Sequence, residues 1–381
     1  MTQNLTLASA ELFRRTPDEC FATFDELWTE CQDAKRFSEE RWHPPSELKL
    51  DVGASGLGLT LGEVGTFGLN DWSFSQLCSL AGVNKDTVNK LSSSTASEVF
   101  KETLPDGTKP LQVMTTDNHA DNLVRSIHGV SYTRLFDADL LAMVREFATD
   151  FQPPQQAAIA PGGQPPSGNP PTAVAAGSED DQPPWEESGQ PRQRGGTGLY
   201  RGEQDMFIFL IDPLGWTEIG GEAFAPGFFL WNSEVGKRSI GIQTFWFQAV
   251  CQNHIVWDAV EVVEFSRKHT ANVHESFAEI RRIIERLVTR RDERRDGFAD
   301  LIAKAMAMPL PETSDEVLKL LSGRGIARSL AKEALKLAQE QGRFTLFSVV
   351  DALTRLNGRM KHAGERTDAD VKAASLLAMA V

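Results

Sequence analysis

The chain has 381 residues, 41% hydrophobic and 24% charged, with a formal net charge of −14. That composition is ordinary for a globular protein, and the acid excess excludes a chain that coats nucleic acid or anionic lipid over its whole surface. The four cysteines, Cys20, Cys31, Cys78 and Cys251, form no CxxC pair and no apolar run reaches membrane-spanning length, so a cytoplasmic protein without a membrane partner is expected. Taken in order, Thr16-Pro17-Asp18-Glu19 reads as a capping box with proline at the first helical position. Phe21, Phe24, Leu27 and Cys31 then recur at helical spacing, which predicts a helix to about Phe37. SELKLDV and GLGLTLG read as short strands around a turn at Gly53 to Gly56; that turn lacks the phosphate-loop lysine and the dinucleotide spacing. Residues 71–91 fit a helix-turn-helix-like hairpin turning at Gly82, with Asn84, Lys85, Asp86, Asn89 and Lys90 on its second helix. Simple packing explains that spacing better than DNA reading does, because Asp86 sits on the recognition face.

LQVMTT and NLVRSIHG read as strands, and Asp137 as the cap of a helix through Phe147. Composition then shifts. Residues 151–200 are rich in proline, glycine and glutamine, with Trp185 almost alone as something to bury, and a disordered insert is expected. From Pro226 to Thr270 runs the densest stretch of aromatic and β-branched residues, broken at Asn232 to Gly236 and at Cys251 to His254, which predicts a three-strand meander. A long helix opens at about His274, carries Phe277, Ile280, Ile284 and Leu287, continues through Phe298 to Ala305, and stops at Pro309. Three or four shorter helices follow, one opened by Thr345 and the last capped by Asp368. The fold class expected is α+β: an antiparallel β-meander covered by a long helix (201–308), an N-terminal α+β subdomain containing the helical hairpin (1–150), the insert (151–200) and a C-terminal helical cap (309–381).

On these residues the chain resembles the phage/plasmid-type family called domain of unknown function 932. The motif residues are Asn232, Ser233, Glu234, Gly236, Cys251 and Asn253, followed by Arg267-Lys268-His269-Thr270. The likeness extends back through VRSIHGVSYTRLFDADLLAMV and SFSQLCSLAGV and forward through FSVVDALTRLNGRM. It implies association with mobile elements and, through some relatives, with single-strand annealing in recombination. Gln248 stands where the family's pattern has arginine, and His254 where a glycine follows the asparagine.

Cys251, His254 and His269 make a weak metal set, because the CxxH has no second pair; no metal and no cofactor is expected. A Cys251/His269 enzyme is the third of three functional readings. The leading one is a non-enzymatic protein that binds single-stranded DNA, and it rests on the arginines. Arg282, Arg286, Arg290 and Arg294 recur every fourth residue, widened by Arg281, Arg291 and Arg295. Like charges at that spacing repel by ~0.2–0.5 kcal/mol a pair, so the row needs carboxylates or phosphates beside it. Lys237, Arg238, Lys268 and His269 would add phosphate contacts, and Trp231, Phe245, Trp246 or Trp257 stacking if any faced outward. The second reading is a protein–protein interaction or anti-defence regulatory module working through its acidic surface; a protein partner and a homo-oligomer are further expectations.

Overall fold

The computed structural model describes residues 11–53, 56–117, 122–157, 198–249, 253–256, 264–311, 313–340, 342 and 344–381. Before the Pro-rich stretch come β1 (Glu19–Cys20), α1 (Phe24–Arg36), β2 (Ser38–His43), β3 (Leu48–Gly53), β4 (Gly56–Leu61) and β5 (Gly65–Leu69). They are followed by α2 (Asp71–Ala81), α3 (Lys85–Val88), α4 (Ser93–Thr103), β6 (Leu111–Asp117), β7 (Asn122–His128) and α5 (Asp137–Phe147). After it come β8 (Leu199–Arg201), β9 (Met206–Ile211), β10 (Thr217–Ile219), β11 (Glu222–Asn232), β12 (Ile240–Gln248), β13 (Asn253–Ile255) and β14 (Glu264–Arg267). The helices α6 (Ser276–Thr289), α7 (Arg291–Ala307), α8 (Ser314–Gly323), α9 (Arg328–Glu340), α10 (Leu346–Asn357) and α11 (Ala363–Ala374) complete the chain.

The strands form two sheets. The larger runs β1-β8-β9-β11-β12-β13, with β10 beside β11 and β14 beside β12, and every pairing is antiparallel. The smaller runs β2-β6-β7-β5-β4-β3. Strand β9, MFIFLI, is apolar at every position and buried at every position, which a strand covered on both faces requires. Met206, Ile208 and Leu210 meet Leu27, Leu141, Ile280 and Ile284 of α1, α5 and α6. Phe207, Phe209 and Ile211 belong to the opposite core, with Phe298 and Ile302 of α7 and the helices after it. The larger sheet is therefore the middle of three layers. Each such buried side chain stabilises the fold by roughly 1.5–3 kcal/mol. The smaller sheet packs Leu50, Leu59, Phe67 and Val124 against Phe74 of α2 and Phe100 of α4.

The meander of β11, β12 and β13/β14 is as expected, but the long helix is not one helix. It breaks at Arg290 (φ −106°, ψ 22°), and α6 and α7 cover opposite faces of the sheet. Leu287 and Phe298 are eleven residues apart, close to three helical turns, so the apolar stripe keeps its phase and the pattern hides the break. The interval between Val288 and Phe298 is TRRDERRDG, with nothing apolar to hold a straight helix on the sheet. The chain turns there instead, tied by an ion pair from Arg291 to Asp212.

Other expectations shift. The first helix begins at Phe24 on a Thr23 cap, because Thr16 and Asp18 are engaged with Glu203, Arg15 and the Ala363 amide. The second helix of the 71–91 hairpin is the single turn α3, and Lys85 is paired with Asp71 at 2.6 Å, so no recognition helix stands there. The last helix starts at Ala363, which puts Asp368 inside it. Residues 1–150 do not form one subdomain among those described: β1, α1 and α5 belong to the larger sheet and the rest to the smaller. The ends of the 151–200 stretch belong to the fold, since Gln152 bridges Ile211 and β8 pairs with β1 and β9. The rest of the stretch expected to be disordered, residues 158–197, lies outside the described residues.

Candidate nucleic-acid interface and the joint beneath it

The motif Asn232-Ser233-Glu234-Val235-Gly236 leaves β11 and enters a tight turn where the two sheets meet. Asn232, Ser233 and Glu234 are buried, although their side chains are polar. Each makes hydrogen bonds or ion pairs inside the fold, while Asn232 Oδ1 has no partner among the described residues. Asn232 donates to the Leu135 carbonyl (2.9 Å) and to Asp137 Oδ1 (2.8 Å). Ser233 Oγ donates to the Gln204 carbonyl (2.5 Å) and accepts from the Lys237 amide (2.8 Å). Glu234 Oε1 takes Arg125 at 2.6 Å and Arg201 at 2.8 Å, and Oε2 accepts the Asp137 amide at 3.1 Å.

The carbonyls of the turn are also taken up from the smaller sheet's side. Trp72 Nε1 donates to the Val235 carbonyl (2.7 Å), which His128 Nε2 also meets at 2.9 Å. Tyr132 Oη and Arg134 donate to the Glu234 carbonyl. Gly236 has φ +78°, a conformation suited to glycine, and a Cβ there would lie 2.9 Å from both His128 Nε2 and Tyr132 Cε2. The motif is thus a joint: one turn of the larger sheet grips β7, α2 and the segment leading to α5.

Its charges are held in set states. Burial opposes a charge on Glu234, but Arg125 and Arg201 outweigh it and hold the carboxyl down at about 2. Burial and the neighbouring Glu234 push Asp137 up to about 7. The rings of His128, Tyr132 and His269 stack in series, with centroids 3.7 and 5.5 Å apart. Burial, helped by Arg134, lowers both histidines to about 4. A histidine depressed in the fold resists a proton that the unfolded chain accepts near pH 6.5. Its contribution is present above pH 6.5 and lost as pH falls towards 4; Asp137 acts with the opposite sign. The thermal midpoint should fall between pH 6.5 and 4.5, and the slope should flatten or reverse in a His128→Asn/His269→Asn variant. An unchanged slope in that variant would place the pH response elsewhere.

The arginine row does not lie along one face. Arg294 is buried in α7, and only Arg282, Arg286 and Arg290 belong to α6 and its C-terminal cap. Those on α6 point outward, as does Arg281. Arg281 pairs with Glu285 at 2.9 Å, Arg282 with Glu279 at 3.0 Å and Arg290 with Glu293 at 2.9 Å, all local pairs open to solvent. Lys268 is exposed and His269 buried in the joint. Lys237 lies over the Trp72 ring, and Arg238 is held by Asp205 (3.0 Å) and Asp368 (3.1 Å). Neither belongs to the outer face of α6. Asn253 pairs with Gln248 in the sheet, and Cys251 and Trp257 lie outside the described residues. His254 sits in β13, buried and stacked on Phe209 at 4.1 Å, so it occupies no tight turn. Gln248 is buried, and its amide donates to Glu222 at 3.3 Å. Phe245 and Trp246 are core; Trp246 stacks flat on Phe298 at 4.0 Å.

Sequence reasoning missed the aromatic partners of these cations, most of which come from other elements. Half-buried rings line the outer layer, each under a cation. Arg281 lies over Phe147 at 4.0 Å, Lys35 over Phe136 at 5.1 Å, Arg145 over Trp28 at 5.6 Å and Arg267 over Phe265 at 5.6 Å. The only legible signal was the aromatic at the edge of each helical stripe, Trp28 in α1 and Phe147 in α5.

Fold and site together define an α+β protein with a buried polar joint between two sheets and a cation-and-aromatic outer layer. Among the described residues no group of three or more His, Cys, Asp or Glu is placed to hold a metal ion. No helix among them is long and apolar enough to cross a membrane. Residues 197–321 match the family model described as Domain of unknown function (DUF932), so the resemblance carried by the motif is borne out over β8 to β14, α6, α7 and most of α8. The flanking stretches that share the likeness lie outside that match. No curated protein and no solved structure matches the chain.

Proposed function

We propose that this is a non-enzymatic, cytoplasmic protein of mobile-element type that binds single-stranded nucleic acid, with single-stranded DNA favoured, on the outer layer formed by α1, α5 and α6. The observation that carries the reading is the series of exposed or half-exposed cations over half-buried rings. Arginine grips phosphate through its bidentate fork, and a ring beneath it offers a face on which an unpaired base stacks. The ion pairs of Arg281, Arg282 and Arg290 are solvent-exposed, and such pairs contribute ~0–1 kcal/mol, so a phosphate can displace the carboxylate at little cost.

The same pairs favour a second reading, a protein-interaction module, because each of these arginines has a carboxylate at hand. One experiment separates the two. Fluorescence anisotropy of a labelled single-stranded oligonucleotide, over a salt series, should show weakening binding with added salt. In Arg281→Gln/Arg282→Gln/Arg286→Gln the slope should flatten by up to ~2 units, at ~0.7 per contact, with the thermal midpoint nearly unchanged. No binding by the wild type, or the wild-type slope in the variant, would remove the nucleic-acid reading and leave the interaction module.

A further inference from the structure

A cleft of about 620 Å³ opens between α1, the segment before it, β6 and β7 of the smaller sheet, and the turn after β8. Its volume is within the range of small-molecule sites. Arg125 and Arg201 line it, but their charge is spent below: Arg125 on Glu234, and Arg201 on Glu234 and Asp137. Four carboxylates, Glu19, Glu30, Asp33 and Glu203, line the rest. Glu30 reaches Arg201 only at 3.5 Å, and Asp33 reaches Arg36 only at 3.9 Å. Between the carboxylates the wall is apolar, from Phe21, Ala34, Phe37 and Leu123.

Two polar atoms of the lining have no hydrogen-bond partner among the described residues. Thr116 is 8% exposed and its hydroxyl is unbonded. Glu203 spends Oε1 on the Thr16 amide and hydroxyl, whereas its Oε2 is shut from solvent without a donor. Buried polar atoms left so cost free energy that a donor ligand restores. Carboxylates separated by hydrocarbon wall suit a cation that is itself charged at intervals along an aliphatic chain.

We propose that this cleft binds an aliphatic di- or polyamine, with its ammonium groups on Glu30, Asp33 and Glu203 and its methylenes along Phe21, Phe37 and Leu123. The site shares α1 with the outer layer but uses other residues of it, Glu30, Asp33 and Ala34, and does not depend on the nucleic-acid reading. Isothermal titration of the full chain at low salt with putrescine and with spermidine tests it, with magnesium chloride as the inorganic control. Saturable binding at one site per chain is expected, tighter for spermidine than for magnesium. It should weaken about tenfold in Glu30→Gln/Asp33→Asn, as loss of two half-exposed ion pairs implies. It should be lost in Ala34→Arg, which places a cation and bulk in the cleft on a helix that accepts arginine. A wild-type thermal midpoint in both variants shows that the fold is intact. Absence of saturable heat with either amine, equal affinity in both variants and the wild type, or magnesium binding as tightly as spermidine would each overturn the proposal.

Discussion

Replacing Glu234 with alanine should lower stability by about 3–5 kcal/mol, the usual cost of removing one partner from a buried ion pair. Arg125 and Arg201 would lose the carboxylate they share, and the Asp137 amide its acceptor. Asp137 can compensate Arg201, which it already meets at 3.1 Å, but its carboxyl is itself resistant to ionisation. Among the described residues Arg125 has only the Ser38 hydroxyl besides, at 3.3 Å. Glu234→Gln keeps the shape and an acceptor for the amide, so it should cost less than alanine while still losing the charge. The two variants, followed by thermal melting with the wild type, give a ranking of wild type, Gln, then Ala. A wild-type midpoint for Glu234→Ala would mean that the joint is wet and its charges solvated.

Gly236→Ala should loosen the two sheets from each other. A non-glycine residue at φ +78° costs on the order of 1 kcal/mol in backbone strain alone. Here the added methyl also meets His128 and Tyr132, the two rings against which the turn is seated. Gly82→Ala is the matched control: its φ is +68°, but nothing lies within 4 Å of the added methyl, so strain is its whole cost. Gly236→Ala should be the more damaging by about 1–2 kcal/mol. Hydrogen exchange should rise in β7 and α2 more than in β9, β11 and β12. Equal destabilisation by the two substitutions, or exchange that rises evenly, would show that the turn is not where the sheets are held together.

Local chemistry was enough to place much of this architecture. The alternation of LKLDV and GLGLTL, the unbroken apolar run of MFIFLI and the aromatic strands of the meander each state a strand, because the side chains that face a core repeat with the strand's own period. Thr345 with Ser348, and Asn70 with Ser73, cap their helices through atoms within one turn of sequence. The joint was legible only as a motif. Nothing local says that Glu234 meets Arg125 and Arg201, 109 and 33 positions away, or that Asn232, Ser233 and Glu234 are buried. Strand β2 was invisible for the same reason: SEERWH is charged, and becomes a strand because β6 supplies its partner.

The arginine row shows most sharply what only the tertiary structure decided. Its spacing of four is real, but Arg290 ends one helix and Arg294 is buried in the next, because the chain must pass from one face of the larger sheet to the other. Where a charged interval has no apolar residue to pin it, helix phase carries through while helix direction does not. The sequence by itself therefore determined the apolar stripes and their period. Which face each stripe covers, and which cation roofs which ring, depended on contacts between residues far apart along the chain, whose cost in loop closure no local pattern records.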